Sequence, residues 1–156
     1  MSAILNCHIN GKAVSQVIDE RLLLVEFVRD VVGLKGTRMG CLTGDCGACT
    51  VTIAGDVIKS CLVLAMSVEG ADITTIEGRD DISHIQQAFV DENGFQCGFC
   101  TTGMVLTAAE LLRDNLDPSD AEIRKAISGN LCRCTGYDAI VRSVKVAALK
   151  AKVEHR

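Results

Sequence analysis

The sequence lacks features on which whole classes of proteins depend. It has no tryptophan, one tyrosine and one proline, and its 20 acidic residues outnumber its 16 lysines and arginines, so that the formal net charge is −4. The acidic balance and the absence of a basic patch argue against nucleic acid as a partner. No apolar stretch approaches the roughly 20 residues that a membrane-spanning helix needs. We therefore expect a protein that neither binds nucleic acid nor crosses a membrane.

An export signal is also missing, and this affects how the nine cysteines are interpreted. Residues 1–14 have neither a basic start nor a long apolar core followed by a small-residue cleavage site. We therefore expect a cytoplasmic protein. In a reducing compartment, nine cysteines indicate metal sites rather than disulfides.

Eight of the nine cysteines form two groups of four, which we call the first and the second quartet. The first quartet has the spacing C-x4-C-x2-C with one later cysteine, and it consists of Cys41, Cys46, Cys49 and Cys61. The second quartet is C-x2-C followed after 31 residues by C-x-C, and it consists of Cys97, Cys100, Cys132 and Cys134. Four thiolates are the ligand set of one iron–sulfur cluster, and the first spacing is that of plant-type [2Fe–2S] proteins. The sequence thus predicts two one-electron centres and a role in electron transfer.

Zinc is the competing interpretation of the cysteines. Structural zinc sites usually come as two close pairs of ligands, whereas the first quartet places three cysteines within nine residues and adds a distant fourth. The second quartet taken alone separates the two metals less clearly, and its neighbour favours iron.

The remaining candidate residues do not predict a further site. Cys7 lies on the apolar side of an alternating strand, and we expect it to be a small buried hydrophobe. The three histidines, His8, His84 and His155, have no spacing that indicates a site, and a Rieske cluster would need two histidine ligands. No serine–histidine–aspartate or paired-carboxylate pattern is present, so we expect no catalytic residue on this chain.

The pattern of apolar residues divides the chain into two unlike domains, residues 1–76 and 77–156. In the first domain, strands are expected at residues 3–9, 13–17, 50–54, 57–58 and 72–76. Hairpin turns are predicted at Asn10-Gly11 and at Gly55-Asp56, and helical spacing predicts one helix over residues 22–32. A small sheet wrapped on one helix predicts a β-grasp domain that is similar to plant ferredoxins.

The second domain has helical periodicity only. Capping boxes of Ser83 with Gln86 and of Ser119 with Glu122 predict the starts of two helices. A stretch of good helix formers lies between them, over residues 103–113, and we expect Asp138 to be the N-cap of a last helix. Four helices with short connections predict a four-helix bundle, so the expected fold class is α+β.

The surroundings of the cysteines indicate loops. Six of the fourteen glycines lie between residues 33 and 55, interleaved with the first quartet. Glycine permits the positive φ angles and the close backbone approach that hydrogen bonds to cluster sulfurs require. In the second quartet, Cys132 and Cys134 would point in nearly opposite directions on a helix, so we expect a turn there.

Three motifs resemble the signatures of the xanthine dehydrogenase family of molybdenum hydroxylases. They occur in the family's order, at residues 40–51 (GCLTGDCGACTV), 96–100 (QCGFC) and 129–137 (GNLCRCTGY). The resemblance covers nearly the whole chain, whose length is similar to that of the separate small iron–sulfur subunit of bacterial members. One departure is visible, because Thr101-Thr102-Gly103 stands where the family commonly has Thr-Pro-Gly. This predicts a looser start of the following helix, while all four ligands remain.

The resemblance implies a division of labour between subunits. A large subunit would carry a molybdopterin cofactor and the substrate chemistry, and a medium subunit would carry FAD. This chain would pass single electrons from molybdenum through both [2Fe–2S] clusters to FAD or another acceptor, with the second quartet nearer molybdenum. Gln96 and Cys134 match the family residues that contact the pterin.

Two alternatives remain open from the sequence. A free-standing two-cluster ferredoxin shuttle would be a stable monomer, whereas a subunit would have an apolar docking surface. A zinc scaffold without redox chemistry would be colourless, whereas oxidised [2Fe–2S] proteins are coloured. The substrate and the terminal electron acceptor belong to the partner subunits, so this chain does not encode them.

Overall fold

The computed structural model of the protein describes residues 1–154. The prediction for His155 and the end of the predicted second domain lie outside these residues. The first part of the chain forms a five-stranded sheet in the order β2-β1-β5-β3-β4. The strands are β1 (Ser2–Ile9), β2 (Lys12–Asp19), β3 (Thr50–Ile53), β4 (Asp56–Lys59) and β5 (Asp72–Thr74). All five predicted strands are therefore confirmed, with ends that differ by one or two residues.

Two hairpins and one parallel pair build the sheet. β1 and β2 are antiparallel and turn at Asn10 and Gly11, whose φ angles of 51° and 74° suit a tight two-residue turn. β3 and β4 turn at Ala54 and Gly55, one residue earlier than predicted, since Ile53 pairs with Asp56. β1 runs parallel to β5, which is antiparallel to β3.

A short helix covers one face of the sheet. The structure has α1 over Leu24–Glu26, continued directly by a π-helical turn over Phe27–Val31, so the predicted helix over residues 22–32 is shorter and less regular than expected. The Val32 N–H reaches back to the Phe27 carbonyl, and Gly33 then ends the segment with a φ of 89°. Leu24, Phe27 and Val28 are fully buried in the same core as the inward side chains of the sheet.

Four helices follow in the second part of the chain. They are α2 (Ser83–Asp91), α3 (Thr101–Asp114), α4 (Asp120–Ala126) and α5 (Asp138–Glu154). α2 packs on α5, and α3 contacts α2 and α4 as well as β3 and β4. α3 is buried around most of its circumference because helices lie on one side of it and the sheet on the other. Their arrangement as a four-helix bundle stays a prediction.

Of the three predicted helix caps, the structure confirms one and contradicts two. The capping box of Ser119 with Glu122 is confirmed, since the Ser119 N–H donates to Glu122 Oε2 over 2.8 Å. The capping box at Ser83 is wrong, because a 3₁₀ turn over Asp80–Ile82 leads straight into α2 and the N-cap is Ile82. Asp138 is the first helical residue of α5 and not its N-cap, and its carboxylate accepts a hydrogen bond from Arg124.

The start of α3 shows no loosening from the missing proline. The helix begins at Thr101, directly after Cys100, and the Thr102 hydroxyl donates to the Gly36 carbonyl over 2.9 Å. A proline at position 102 could not make this bond. Within residues 1–154, no helix has the length and apolar character needed to cross a membrane.

The sheet and the helices are held together by polar contacts as well as by packing. Glu110 of α3 accepts a hydrogen bond from the Val57 N–H over 2.9 Å. Arg113, near the end of the same helix, donates to the Gly55 carbonyl over 2.7 Å. These bonds fix α3 against the β3–β4 hairpin, which also carries the chain toward Cys61.

Candidate iron–sulfur sites

The first quartet lies in two segments that flank the β3–β4 hairpin. Cys41, Cys46 and Cys49 belong to the loop before β3, and Cys61 belongs to a 3₁₀ turn after β4. The Cys46 N–H donates to Cys41 Sγ over 3.3 Å, and the Cys41 N–H donates to Cys46 Sγ over 3.4 Å. These reciprocal bonds make Cys41 and Cys46 one pair within the quartet.

Cys49 and Cys61 form a second, buried pair. Their exposed fractions are 2% and 4%, and they share a small apolar cluster with Val25. The Ser60 hydroxyl donates to the Cys49 carbonyl over 2.6 Å, which ties the turn to the end of the loop. The first quartet therefore consists of an outer pair, Cys41 with Cys46, and a buried pair.

The two pairs differ in acidity as free thiols. Hydrogen bonds from Thr43, together with the Cys46 N–H, lower the pKa of Cys41 to about 6. Burial raises the pKa of Cys49 above its ordinary value. A thiol with a lowered pKa is the one that deprotonates first and meets an incoming metal first.

Glycines let the loop wrap closely around the first quartet, as the sequence predicts. Gly44 and Gly47 have φ angles of 86° and 68°. A Cβ atom on Gly40 would lie 2.7 Å from Cys46 Sγ, which is closer than a real contact permits. A side chain at position 40 would thus displace the sulfur of Cys46.

The second quartet lies in two connections between helices. Cys97 and Cys100 lie between α2 and α3, and Cys132 and Cys134 lie in the non-helical segment before α5, which confirms the predicted turn. Its pairs run across these connections. Cys97 Sγ lies 3.5 Å from Cys134 Sγ, and the Cys100 thiol interacts with that of Cys132.

The second quartet also has an exposed and an inner side. Cys97 and Cys134 are exposed, whereas Cys100 is 8% exposed and burial raises its pKa to about 12. Thr135 donates its N–H to Cys132 Sγ over 3.4 Å, and the Tyr137 hydroxyl accepts from the Cys132 N–H over 2.9 Å. These two hydrogen bonds hold the turn around Cys132, the thiol that pairs with Cys100.

The arrangement of the thiols fits binuclear clusters. All nine cysteines are free, and each quartet divides into two close pairs. Each iron of a [2Fe–2S] cluster takes two of the four cysteine thiolates, and backbone N–H groups that point at sulfur stabilise the charge. Among residues 1–154, no three histidine, cysteine or acidic side chains come together in the arrangement of a single metal ion.

Asn130 joins the two quartets, and sequence reasoning missed it. Its exposed fraction is 4%, its Nδ2 donates to the Gly47 carbonyl over 3.2 Å, and its Oδ1 accepts from the Thr107 hydroxyl over 3.1 Å. The next residue, Leu131, donates its N–H to the Cys46 carbonyl over 2.9 Å. Asn130 lies inside the third motif, so the motif contained a signal, but its local pattern indicated only a turn.

The other sequence-predicted residues fall in different places. Gln96 is exposed and directly precedes Cys97, whose sulfur lies 3.5 Å from that of Cys134. Cys7 is 3% exposed in the core of the sheet, as expected of a small hydrophobe. His8 lies 3.6 Å from Asp72 at the surface, and His84 borders a surface cavity away from both quartets.

Comparison with known proteins finds iron–sulfur relatives along most of the chain. Residues 7–75 match the family described as 2Fe-2S iron–sulfur cluster binding domain, and residues 75–145 match the [2Fe-2S] binding domain. The caffeine dehydrogenase subunit gamma of Pseudomonas sp. (strain CBB1) is 44% identical over 150 residues, which cover 92% of this chain and 90% of that protein. The nicotinate dehydrogenase small FeS subunit of Eubacterium barkeri is 44% identical, with coverages of 92% and 93%.

Solved structures of oxidoreductases contain the same fold as this chain. The quinoline 2-oxidoreductase of Pseudomonas putida 86 contains a chain with a TM-score of 0.91 and 41% identity, and 97% of both chains is covered. The aldehyde oxidoreductase of Desulfovibrio desulfuricans ATCC 27774 matches with a TM-score of 0.90 and 35% identity, but only 17% of that longer chain is covered. High identity along nearly the full length of several such subunits shows that the chain belongs to the small iron–sulfur subunits of the xanthine dehydrogenase family of molybdenum hydroxylases, oxidoreductases whose substrate chemistry lies on other subunits.

Proposed function

We propose that this chain carries single electrons from a molybdopterin centre on a large partner subunit to FAD on a medium subunit, or to another acceptor. Two bound [2Fe–2S] clusters would each supply a one-electron carrier. The observation that carries the proposal is the division of both quartets into close thiol pairs. In the first quartet, the pairs Cys41 with Cys46 and Cys49 with Cys61 would each hold one iron. In the second quartet, the pairs Cys97 with Cys134 and Cys100 with Cys132 would do the same.

The surface around the second quartet supports its docking against the molybdopterin subunit. Cys97 and Cys134 are exposed, and three apolar side chains near them are exposed by 38%, 41% and 55%. These are Phe95, Phe99 and Leu131. We propose that Gln96 and Cys134 contact the pterin across this surface, as the family resemblance implies.

A second apolar surface beside the first quartet supports an acceptor subunit there. Leu42 follows Cys41, and Leu62 follows Cys61, with exposed fractions of 47% and 63%. Leu64, nearby in the chain, is 49% exposed. Exposed apolar groups of this kind favour a subunit over a free-standing ferredoxin shuttle, because a shuttle has no permanent partner to cover them.

The predicted organisation of the chain is part of the proposal. We propose a β-grasp, plant-ferredoxin-like domain over residues 1–76 and a four-helix bundle over residues 77–156, each built around one quartet. Work in the cytoplasm would keep the nine thiols reduced. The substrate is chosen by the large subunit.

The proposal is tested by purifying the tagged chain from its native host without oxygen and measuring iron, molybdenum and flavin. We expect about four irons per chain, as two [2Fe–2S] clusters require, with near-equal molybdenum and a larger co-purifying chain. The same iron without molybdenum or a partner would support the ferredoxin shuttle instead. Zinc in place of iron would overturn the proposal.

A further inference from the structure

One arginine contacts the loops of both quartets. The Arg38 N–H donates to the Ala48 carbonyl over 3.0 Å, and Ala48 lies between Cys46 and Cys49. The guanidinium carbon of Arg38 lies 5.8 Å from the ring centroid of Phe99, which lies between Cys97 and Cys100. This is the distance of a cation–π contact. A single positive charge is thus held where the two loops meet.

The ring under this arginine also borders the first quartet. A Cβ atom built on Gly40 would lie 3.5 Å from Phe99 Cε1 and 2.7 Å from Cys46 Sγ. The ring edge and the Cys46 sulfur therefore approach Gly40 from two sides. Arg38, Phe99 and Cys46 form one compact group around this glycine.

The charge of Arg38 has no carboxylate partner among residues 1–154. Five other arginines pair with aspartate or glutamate, namely Arg21, Arg79, Arg113, Arg124 and Arg142. Arg38 forms no such pair there, and its buried Nε has no hydrogen-bond partner in the described chain. A buried donor without a partner costs about 1–3 kcal/mol, and a negatively charged group beside Arg38 would reduce this cost.

A loaded iron–sulfur site beside Arg38 would supply the missing negative charge. Four thiolates and two sulfides outweigh the charge of two irons, and reduction by one electron makes the site more negative still. A fixed cation nearby stabilises the reduced form more than the oxidised form. Net charge around a cluster is one of the quantities that set its reduction potential.

We infer that Arg38 tunes electron transfer by raising the reduction potential of the first-quartet cluster. The inference rests on the proposed cluster sites. The residue acts through its charge alone, since no bond or proton moves when the cluster gains an electron. A higher potential at the first quartet favours electron flow from the second quartet to the first.

The test compares the purified holo-complex carrying wild-type chain, Arg38→Gln, Arg38→Met and Arg38→Lys by potentiometric titration followed by electron paramagnetic resonance. In the two neutral variants, we expect the equilibrium constant for reducing the first cluster to fall about tenfold, which is about 59 mV for one electron. Arg38→Lys keeps the charge and should recover most of this loss. The potential of the second cluster should change less.

Lys150→Gln is the matched control, because it removes one positive charge elsewhere in the molecule. Lys150 lies in α5, ~18 Å along the helix axis from Asp138, where the helix begins after the second quartet. This substitution should leave both potentials unchanged. Full iron content with unchanged potentials in the neutral variants would overturn the inference. So would loss of the first cluster from both neutral variants, because Arg38 would then have a structural role. A wild-type chain without iron would instead refute the proposed function.

Discussion

The two quartets reach the same pairing of thiols by different routes. In the first quartet, the outer pair, Cys41 and Cys46, is local in sequence, and one glycine-rich loop shapes it. In the second quartet, each pair takes one cysteine from each of two connections, as Cys97 with Cys134 shows. Part of the first site can therefore form with its loop, whereas the second exists only after the helices have packed. Local and non-local construction thus occur side by side in one chain.

Removing one buried ligand from each quartet tests whether each quartet binds its own cluster, and we expect this change to have the largest effect. Cys49→Ala and Cys100→Ala each delete a buried thiol. We expect each substitution to abolish its own cluster and to leave the other, so that iron falls from about four to about two per chain. Iron analysis and electron paramagnetic resonance would identify the surviving cluster. Cys7→Ala is the control and should retain about four irons. Loss of both clusters from a single ligand substitution would show that neither quartet can hold a cluster on its own.

The rate at which thiols of the metal-free protein are alkylated tests the difference between outer and inner cysteines. Hydrogen bonds lower the pKa of Cys41 to about 6 and burial raises that of Cys100 to about 12, so of these two thiols only Cys41 is mostly thiolate at pH 7. We expect iodoacetamide to modify Cys41 on the order of a hundredfold faster than Cys100, after allowance for the lower nucleophilicity of an acidic thiol.

The direction of the pH effect follows from the same values. Lowering the pH from 7 to 5 crosses the pKa of Cys41, protonates it and should slow its modification about tenfold. Peptide mass spectrometry at timed intervals measures both rates. Equal labelling of Cys41 and Cys100 at pH 7 would show that the hydrogen bonds to Cys41 do not form in the empty loop.

A pair of glycines tests the contact that joins the two regions. Gly47 and Gly136 both have a φ of 68°, so alanine meets the same backbone strain at each position. A Cβ atom on Gly47 would lie 2.5 Å from the Gly129 carbonyl and from Asn130 Nδ2, whereas nothing lies within 4 Å of one on Gly136. We expect Gly136→Ala to lower the free energy of unfolding by about 1–2 kcal/mol through backbone strain alone. Gly47→Ala should lower it by about 2 kcal/mol more, because the added methyl group overpacks the contact and breaks a buried hydrogen bond.

Denaturant unfolding of the two variants, compared with wild type, measures this difference. The comparison isolates the contact because the backbone cost cancels between the two positions. Equal losses of stability would mean that the loops of the two quartets separate easily.

Features set by local pattern could be predicted from the sequence, and features set by tertiary packing could not. The turn at Asn10-Gly11, the alternating strand β1 and the capping box at Ser119 depend on neighbours in the chain, and all are present. The cap at Ser83 failed because a preceding 3₁₀ turn, which no spacing rule signalled, leads into the helix.

The candidate site divides in the same way. Spacing alone predicted both quartets and the turn at Cys132. It could not predict the pairing of Cys97 with Cys134 or the burial of Asn130, because both depend on how two connections meet in space.

The hydrogen bond from the Leu131 N–H to the Cys46 carbonyl has a consequence for how the protein fills with metal. Ordering the loop that carries Cys46 also orders the residue before Cys132, so occupation of either quartet should raise the affinity of the other. Thermodynamic linkage requires the same factor in both directions. Loading is then cooperative, and a wild-type chain that carries a single cluster is less populated than it would be if the two sites filled independently.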